Sequence, residues 1–147
     1  MFARNICQIL FGKDISMTKI SILDRKDPSE PMQEREVTLG YAADHVTLQV
    51  LKTLPLKFGN PLFKPLFNNF GYYLSLSSFE KAVDENCRRL RVCISELVQY
   101  RRSGIFKSDV EGEADLLTLF FASPDIFTDD VILDELLDFF IAASSAT

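Results

Sequence analysis

Three cysteines, one histidine and a closing run of small and hydroxyl residues, Ala142 to Thr147, hold most of the reactive chemistry in this sequence. Cys7, Cys87 and Cys93 are odd in number, form no CxxC pair and have no histidine nearby. That argues for reduced thiols in an intracellular setting, against a disulfide frame or a zinc site. Cys87 and Cys93 fall inside a helical pattern and read as structural thiols. His45 is the sole imidazole, so a histidine-built metal site or triad has nothing to assemble from. Its spacing puts it on an apolar helix face. There it reads as a core histidine bonded through its ring nitrogens, with a catalytic or ligand role as the alternative. At the chain's end, Ser144, Ser145 and Thr147 lie among Ala142, Ala143 and Ala146. Read by themselves, those small residues are a close helix contact.

These groups must be positioned by an ordinary amount of core. At 147 residues, one domain is expected, and 47% hydrophobic with 25% charged residues is globular composition. A net charge of −5 argues against a nucleic-acid partner. There is no run of 18 apolar residues, so no segment reads as a membrane span. Met1 to Gly12 has too short an apolar core for a secretory signal.

The elements are expected to be helices. Phe2, Ile6, Ile9 and Leu10 recur at helical spacing and Gly12 ends the run. Residues 13–23 fit neither period, and 24–31 are a polar loop punctuated by Pro28 and Pro31. A second helix is expected from about Met32 to Thr53, with Val37, Tyr41, His45, Leu48 and Leu51 on one face. Ser77 and Glu80 spell a capping box that opens a third helix, to about Arg102. Phe79, Val83, Leu90, Ile94, Leu97 and Val98 give its apolar stripe. Arg101 and Arg102 suit its negative end, Gly104 stops it, and Arg88, Arg89 and Arg91 read as a solvated face. A short helix over 113–121 leads through Ser123, Pro124 and Asp125 into the last one. No strand is expected with confidence.

The last helix organises the rest. Thr128 is its N-cap, Asp129 and Asp130 face its positive end, and Phe127 is placed to staple onto Ile132. After Asp138 its residues are apolar on every side to Ala143, which predicts burial over about 30 Å of helix. Residues 54–74 are the oddest connection, with Pro55, Pro61 and Pro65 among Phe58, Phe63, Phe67, Phe70, Tyr72 and Tyr73. Two readings stand: this aromatic loop folds over its own core, or it faces a ligand channel or a membrane surface.

Asp115 to Leu119, then Phe127 to Asp130, then Asp134 to Thr147, read in order, resemble the cytochrome P-450 family of haem-thiolate monooxygenases. The likeness is to the segment where a short helix leads into the long central helix crossing the haem. Ile6 to Asp14 is similar to the family's earlier helix with its Phe-Gly turn. The resemblance implies an all-α fold of about five helices, with residues 1–147 a single partial domain ending inside the buried central helix. It also implies a haem cofactor, a small apolar organic substrate, O2, and a reductase as redox partner. The parent would be a monooxygenase associated with the endoplasmic reticulum membrane, touching it through loop 54–74.

In that family the central helix carries a small-small-x-acid-Thr pattern beside the iron. By the resemblance, Ala142, Ala143 and Ala146 would lie against the haem and Phe139 would touch substrate. Ser145, Ala146 and Thr147 hold the oxygen-activation positions, where a positioned acid and hydroxyl help deliver protons. Ser145 carries no charge and Ala146 has no proton to give, so the motif is degenerate here. Ala146 also favours unbroken helix, while Ser144 and Ser145 could bond back to carbonyls one turn earlier. The family's ligating cysteine lies in a downstream loop that none of Cys7, Cys87 and Cys93 matches. No metal ligand is therefore assigned in this chain, and the piece alone is expected to be inactive. Glu85 and Arg88 spell the family's Glu-x-x-Arg in the wrong helix. The alternatives are a non-catalytic helical interaction module and an inactive family member.

Overall fold

The structure, a computed structural model, describes residues 2–25, 27, 29–59, 77–106 and 115–145. In chain order the elements are α1 (Phe2–Phe11), β1 (Lys19–Asp24), β2 (Gln33–Thr38), α2 (Leu39–Gly59), α3 (Ser78–Arg102), α4 (Leu116–Phe121) and α5 (Asp129–Ser145). The fold is mostly helical, as expected, but a two-stranded antiparallel sheet corrects the all-α reading.

The hairpin occupies the stretch that fitted neither period. Ile20 and Ile22 alternate inward on β1, and Val37 faces Ile20 across the pair. β2 is otherwise polar, and Gln33 to Glu36 face solvent. A lone two-stranded hairpin is marginal in water, and this one is stabilised by lying on α3. Its strand periodicity is weak because only one narrow face is covered.

The second helix consequently begins at Leu39, not Met32, and it continues to Gly59 past the expected end at Thr53. Pro55 lies inside it, where it has no N–H to offer the carbonyl one turn back. The helix is also rotated from the expected face. Tyr41, Leu48 and Leu51 are 44%, 55% and 43% exposed, whereas Leu39, Ala42, Ala43 and Val46 are buried. Small side chains let α2 approach α3 and α5 closely, and close packing of both flanks outweighs the larger residues on the other side.

The first helix shows the same shift. Cys7, Leu10 and Phe11 are buried and Ile9 faces out. Gly12 ends α1 with φ 65°, a conformation that favours glycine, and its N–H donates to the Gln8 carbonyl at 2.9 Å.

The third helix agrees closely with the sequence pattern. Ser77 Oγ accepts from the Glu80 N–H at 3.1 Å, and the Ser77 N–H donates to Glu80 Oε2 at 2.9 Å, so the box is closed both ways. Val83, Leu90, Ile94, Leu97 and Val98 are buried. The arginines are not merely solvated. Arg89 reaches Glu34 on β2 at 2.8 Å, Arg91 pairs with Asp134, and Arg102 pairs with Asp129 at 2.7 Å. The Arg91 and Arg102 pairs tie α3 to α5 and the Arg89 pair ties α3 to β2; exposed as they are, such pairs stabilise the fold only weakly.

Between them, α4 starts at Leu116 with Asp115 as its N-cap, accepting from the Thr118 N–H at 2.7 Å. In α5, the Thr128 carbonyl accepts from the Ile132 N–H at 2.9 Å, the first bond of the helix. The Phe127 ring sits 4.6 Å from Phe120, so α4 holds the aromatic expected to staple to Ile132. The buried faces of all seven elements meet in one core, where each fully buried Leu or Phe contributes about 1.5–3 kcal/mol.

Candidate functional site

The distal half of α5 carries the residues singled out by the sequence. Ile132, Leu133, Leu136 and Phe140 form its inner seam and are buried against the other helices. The Phe140 ring lies 6.5 Å from Phe11 of α1. Their spacing of three and four residues defines one side of the helix.

The opposite side is open, which corrects the expectation of burial all round. Phe139 is 45% exposed against 2% for its neighbour Phe140. Ala142, one turn beyond Phe139, is also exposed. The apolar run from Phe139 onwards therefore splits into a buried half and a face that the described residues leave uncovered. Asp134, Glu135 and Asp138 continue that face towards the amino end of α5.

The backbone keeps α5 helical through Ala143, Ser144 and Ser145. Helical geometry puts positions 139, 142, 143 and 146 on one side if the helix continues. The side chains of Ala143, Ser144 and Ser145, and residues Ala146 and Thr147 altogether, lie outside the described residues. So does residue 60 onward of the aromatic loop 54–74, while 54–59 form the end of α2.

The thiols are placed as structural groups. Cys7 is buried in the core, and burial with the Asp14 charge nearby pushes its pKa up to about 12. Cys93 borders a surface cleft of about 290 Å³ beside Lys19, Arg88 and Arg89. Burial, then the Glu96 charge, raises its pKa to about 11. Both stay protonated at neutral pH and are poor nucleophiles and poor metal ligands. Cys87 is half-buried against the core. Among the described residues no group of three or more His, Cys, Asp or Glu side chains is gathered to hold a metal ion.

His45 sits at the edge of the core, half-buried, where it was expected to be enclosed. Its Nε2 lies 3.2 Å from Asp24 Oδ1 and 3.0 Å from Gln49 Nε2, and its ring stacks on Tyr41. Glu85 and Arg88 form a two-pronged ion pair on the surface of α3, at 2.7 and 2.8 Å. Hydrogen bonds from Arg88 and then Arg89 lower the Glu85 pKa to about 2.

Among the buried polar groups that the sequence reading did not place in the core are Asn86 and Asp115. Asn86 is fully buried, and its amide clamps β1 by accepting from the Leu23 N–H at 2.7 Å and donating to the Leu23 carbonyl at 2.8 Å. The available signal was its place on the apolar stripe between Val83 and Leu90, where an asparagine must find partners. The other is Asp115, buried at the start of α4 and met by Arg101.

No helix among the described residues is long and apolar enough to cross a membrane. Comparison with family models, with curated proteins and with solved structures gives no match.

Proposed function

We propose that this chain forms part of a haem-dependent monooxygenase of the cytochrome P-450 kind, acting on an apolar organic substrate. The observation that carries the reading is the divided apolar end of α5. Phe140 anchors the helix in the core while Phe139 and Ala142 present an aromatic and a small residue on the side left open. A flat ring needs small residues to lie against, and an apolar substrate needs an aromatic wall. The described residues suit one face of such a group only. Cys7, sealed in the core, and Cys93, held protonated, do not suit a haem-ligating thiolate. Haem, when bound, supplies the activation of dioxygen, and the protein contributes the pocket. This chain's own part is to exclude water and orient substrate through Phe139.

The coding sequence beyond Thr147 tests the proposal. Continuation into a Glu-x-x-Arg helix and a cysteine-bearing haem loop is the expected result. A stop immediately after Thr147 would overturn it and leave a non-catalytic helical module. In a continuous product, reduction and addition of carbon monoxide should give the absorbance band of thiolate-ligated haem. The 147-residue chain mixed with haem should give none.

A further inference from the structure

The two edges of the hairpin are treated differently by the rest of the chain. In an antiparallel pair, residues that exchange backbone bonds alternate with residues whose N–H and C=O turn outward. The Leu39 N–H donates to the Thr18 carbonyl at 2.7 Å, which sets the phase. Ile20 and Ile22 face their partners Val37 and Arg35 in the bonded positions, and Ser21 and Leu23 turn their backbone groups away from β2. α3 closes that outer edge of β1. Asn86 takes both the N–H and the carbonyl of Leu23, at 2.7 and 2.8 Å, and Arg89 donates to the Ser21 carbonyl at 3.3 Å.

The same phase applies to β2. Glu34 is paired with Leu23 and Glu36 with Ser21, so the N–H and C=O of both glutamates turn outward on the far side of the hairpin. Among the described residues nothing bonds to those backbone groups. Gln33 to Glu36 are exposed, the strand holds no proline, and its register runs unbroken to Thr38. An open strand edge of this kind is a template for one more strand.

Charge selects the occupant. Glu34 and Glu36 lie on one face of the pleat, with side chains 64% and 70% exposed. An added strand sets one residue directly opposite each of them, and like charges so placed repel. Two copies of β2 paired antiparallel through these groups would set Glu34 against Glu36 and Arg35 against Arg35, so a second copy is disfavoured. The residue between the two contacts lies beside Arg35, whose guanidinium is already engaged by Asp24 at 3.7 Å and by the Tyr41 ring. A neutral side chain suits that place.

We propose that the β2 edge binds an extended basic segment of another protein, with Lys or Arg at alternate positions opposite Glu34 and Glu36 and neutral residues between. Its backbone pairs with the N–H and C=O of the two glutamates, and its cations pair with their carboxylates. This edge is separate from the open face of α5 and does not depend on the haem reading.

The test titrates the full ¹⁵N-labelled chain with a short capped peptide alternating valine and lysine, and follows amide exchange. Protection should rise at Glu34 and Glu36, with no change at Leu23, whose N–H Asn86 already holds. The same peptide with its lysine nitrogens methylated keeps the charge but lacks the ladder donors, and should not protect them. Glu36→Gln should weaken binding about two- to fivefold, as for one cross-strand ion pair. Equal binding of the methylated peptide would overturn strand addition and leave attraction by charge alone, as would Glu34 and Glu36 amides still unprotected at saturation. Protection already present without peptide would overturn the choice of occupant. If it fades on dilution a second copy holds the edge, and if it persists the chain covers its own edge.

Discussion

Arg101, in the last turn of α3, donates to Asp115 at 2.6 Å, and the Asp115 side chain is only 2% exposed. The same carboxylate caps α4 through the Thr118 N–H and hydroxyl. One buried charge thus caps α4 and ties it to the last turn of α3. Arg101→Ala leaves that charge without its cation. The expected loss is about 3–5 kcal/mol, read from urea unfolding. A loss below about 1 kcal/mol would mean that the pair is solvated and does not hold the corner.

Phe139 and Phe140 make a sharper comparison, being adjacent and opposite in exposure. Phe140→Ala should cost about 3–5 kcal/mol through the cavity left against Phe11. Phe139→Ala should change stability by about 0.5 kcal/mol or less. If the open face is a substrate wall, Phe139→Ala in the haem-bearing product shifts the affinity for apolar ligands with no change in unfolding midpoint. Equal destabilisation by both variants would refute the division of α5 into two faces.

The Glu85 cluster predicts an acid dependence of stability. Its folded pKa is lowered from 4.5 to about 2, so the stabilisation is fully present above the unfolded value. It is lost as pH falls from about 4.5 towards about 2. Glu34, lowered in the same direction by Ser21 and Arg89, adds to the same window. Glu85→Gln should flatten that part of a plot of melting temperature against pH. An unchanged slope would show that other carboxylates carry it.

Cysteine labelling checks the core. Because burial raises the Cys7 pKa from 9.0 to about 12, its contribution to stability is complete below the unfolded value and falls away as pH climbs towards the folded one. At about pH 8, iodoacetamide should leave Cys7 unmodified until urea unfolds the chain, with Cys93 slow and more accessible. Peptide mass spectrometry distinguishes them. Rapid labelling of Cys7 in the native protein would place it outside the core.

The candidate site was legible in part. The position of α5 and its start after Thr128 came from local signals, whereas its carboxylates Asp129 and Asp134 meet Arg102 and Arg91 of α3, partners distant in sequence. That Phe139 is open and Phe140 closed did not, because both are phenylalanines and only the placement of α1 distinguishes them. His45 was visible as a polar residue on an apolar stripe, and Asn86 carried the same signal without being picked out. Their partners Leu23 and Asp24 are distant in sequence and could not be named.

Sequence alone determined the helix starts and stops whose chemistry is local: the Ser77 and Glu80 box, the turns at Gly12 and Gly104, and the stripe from Val83 to Val98. Tertiary structure decided the hairpin and the rotation of α2. A two-stranded sheet gains its stability from the helix that covers it. Ala42 and Ala43 carry almost no hydrophobic signal of their own, yet they bury where neighbouring helices can approach most closely.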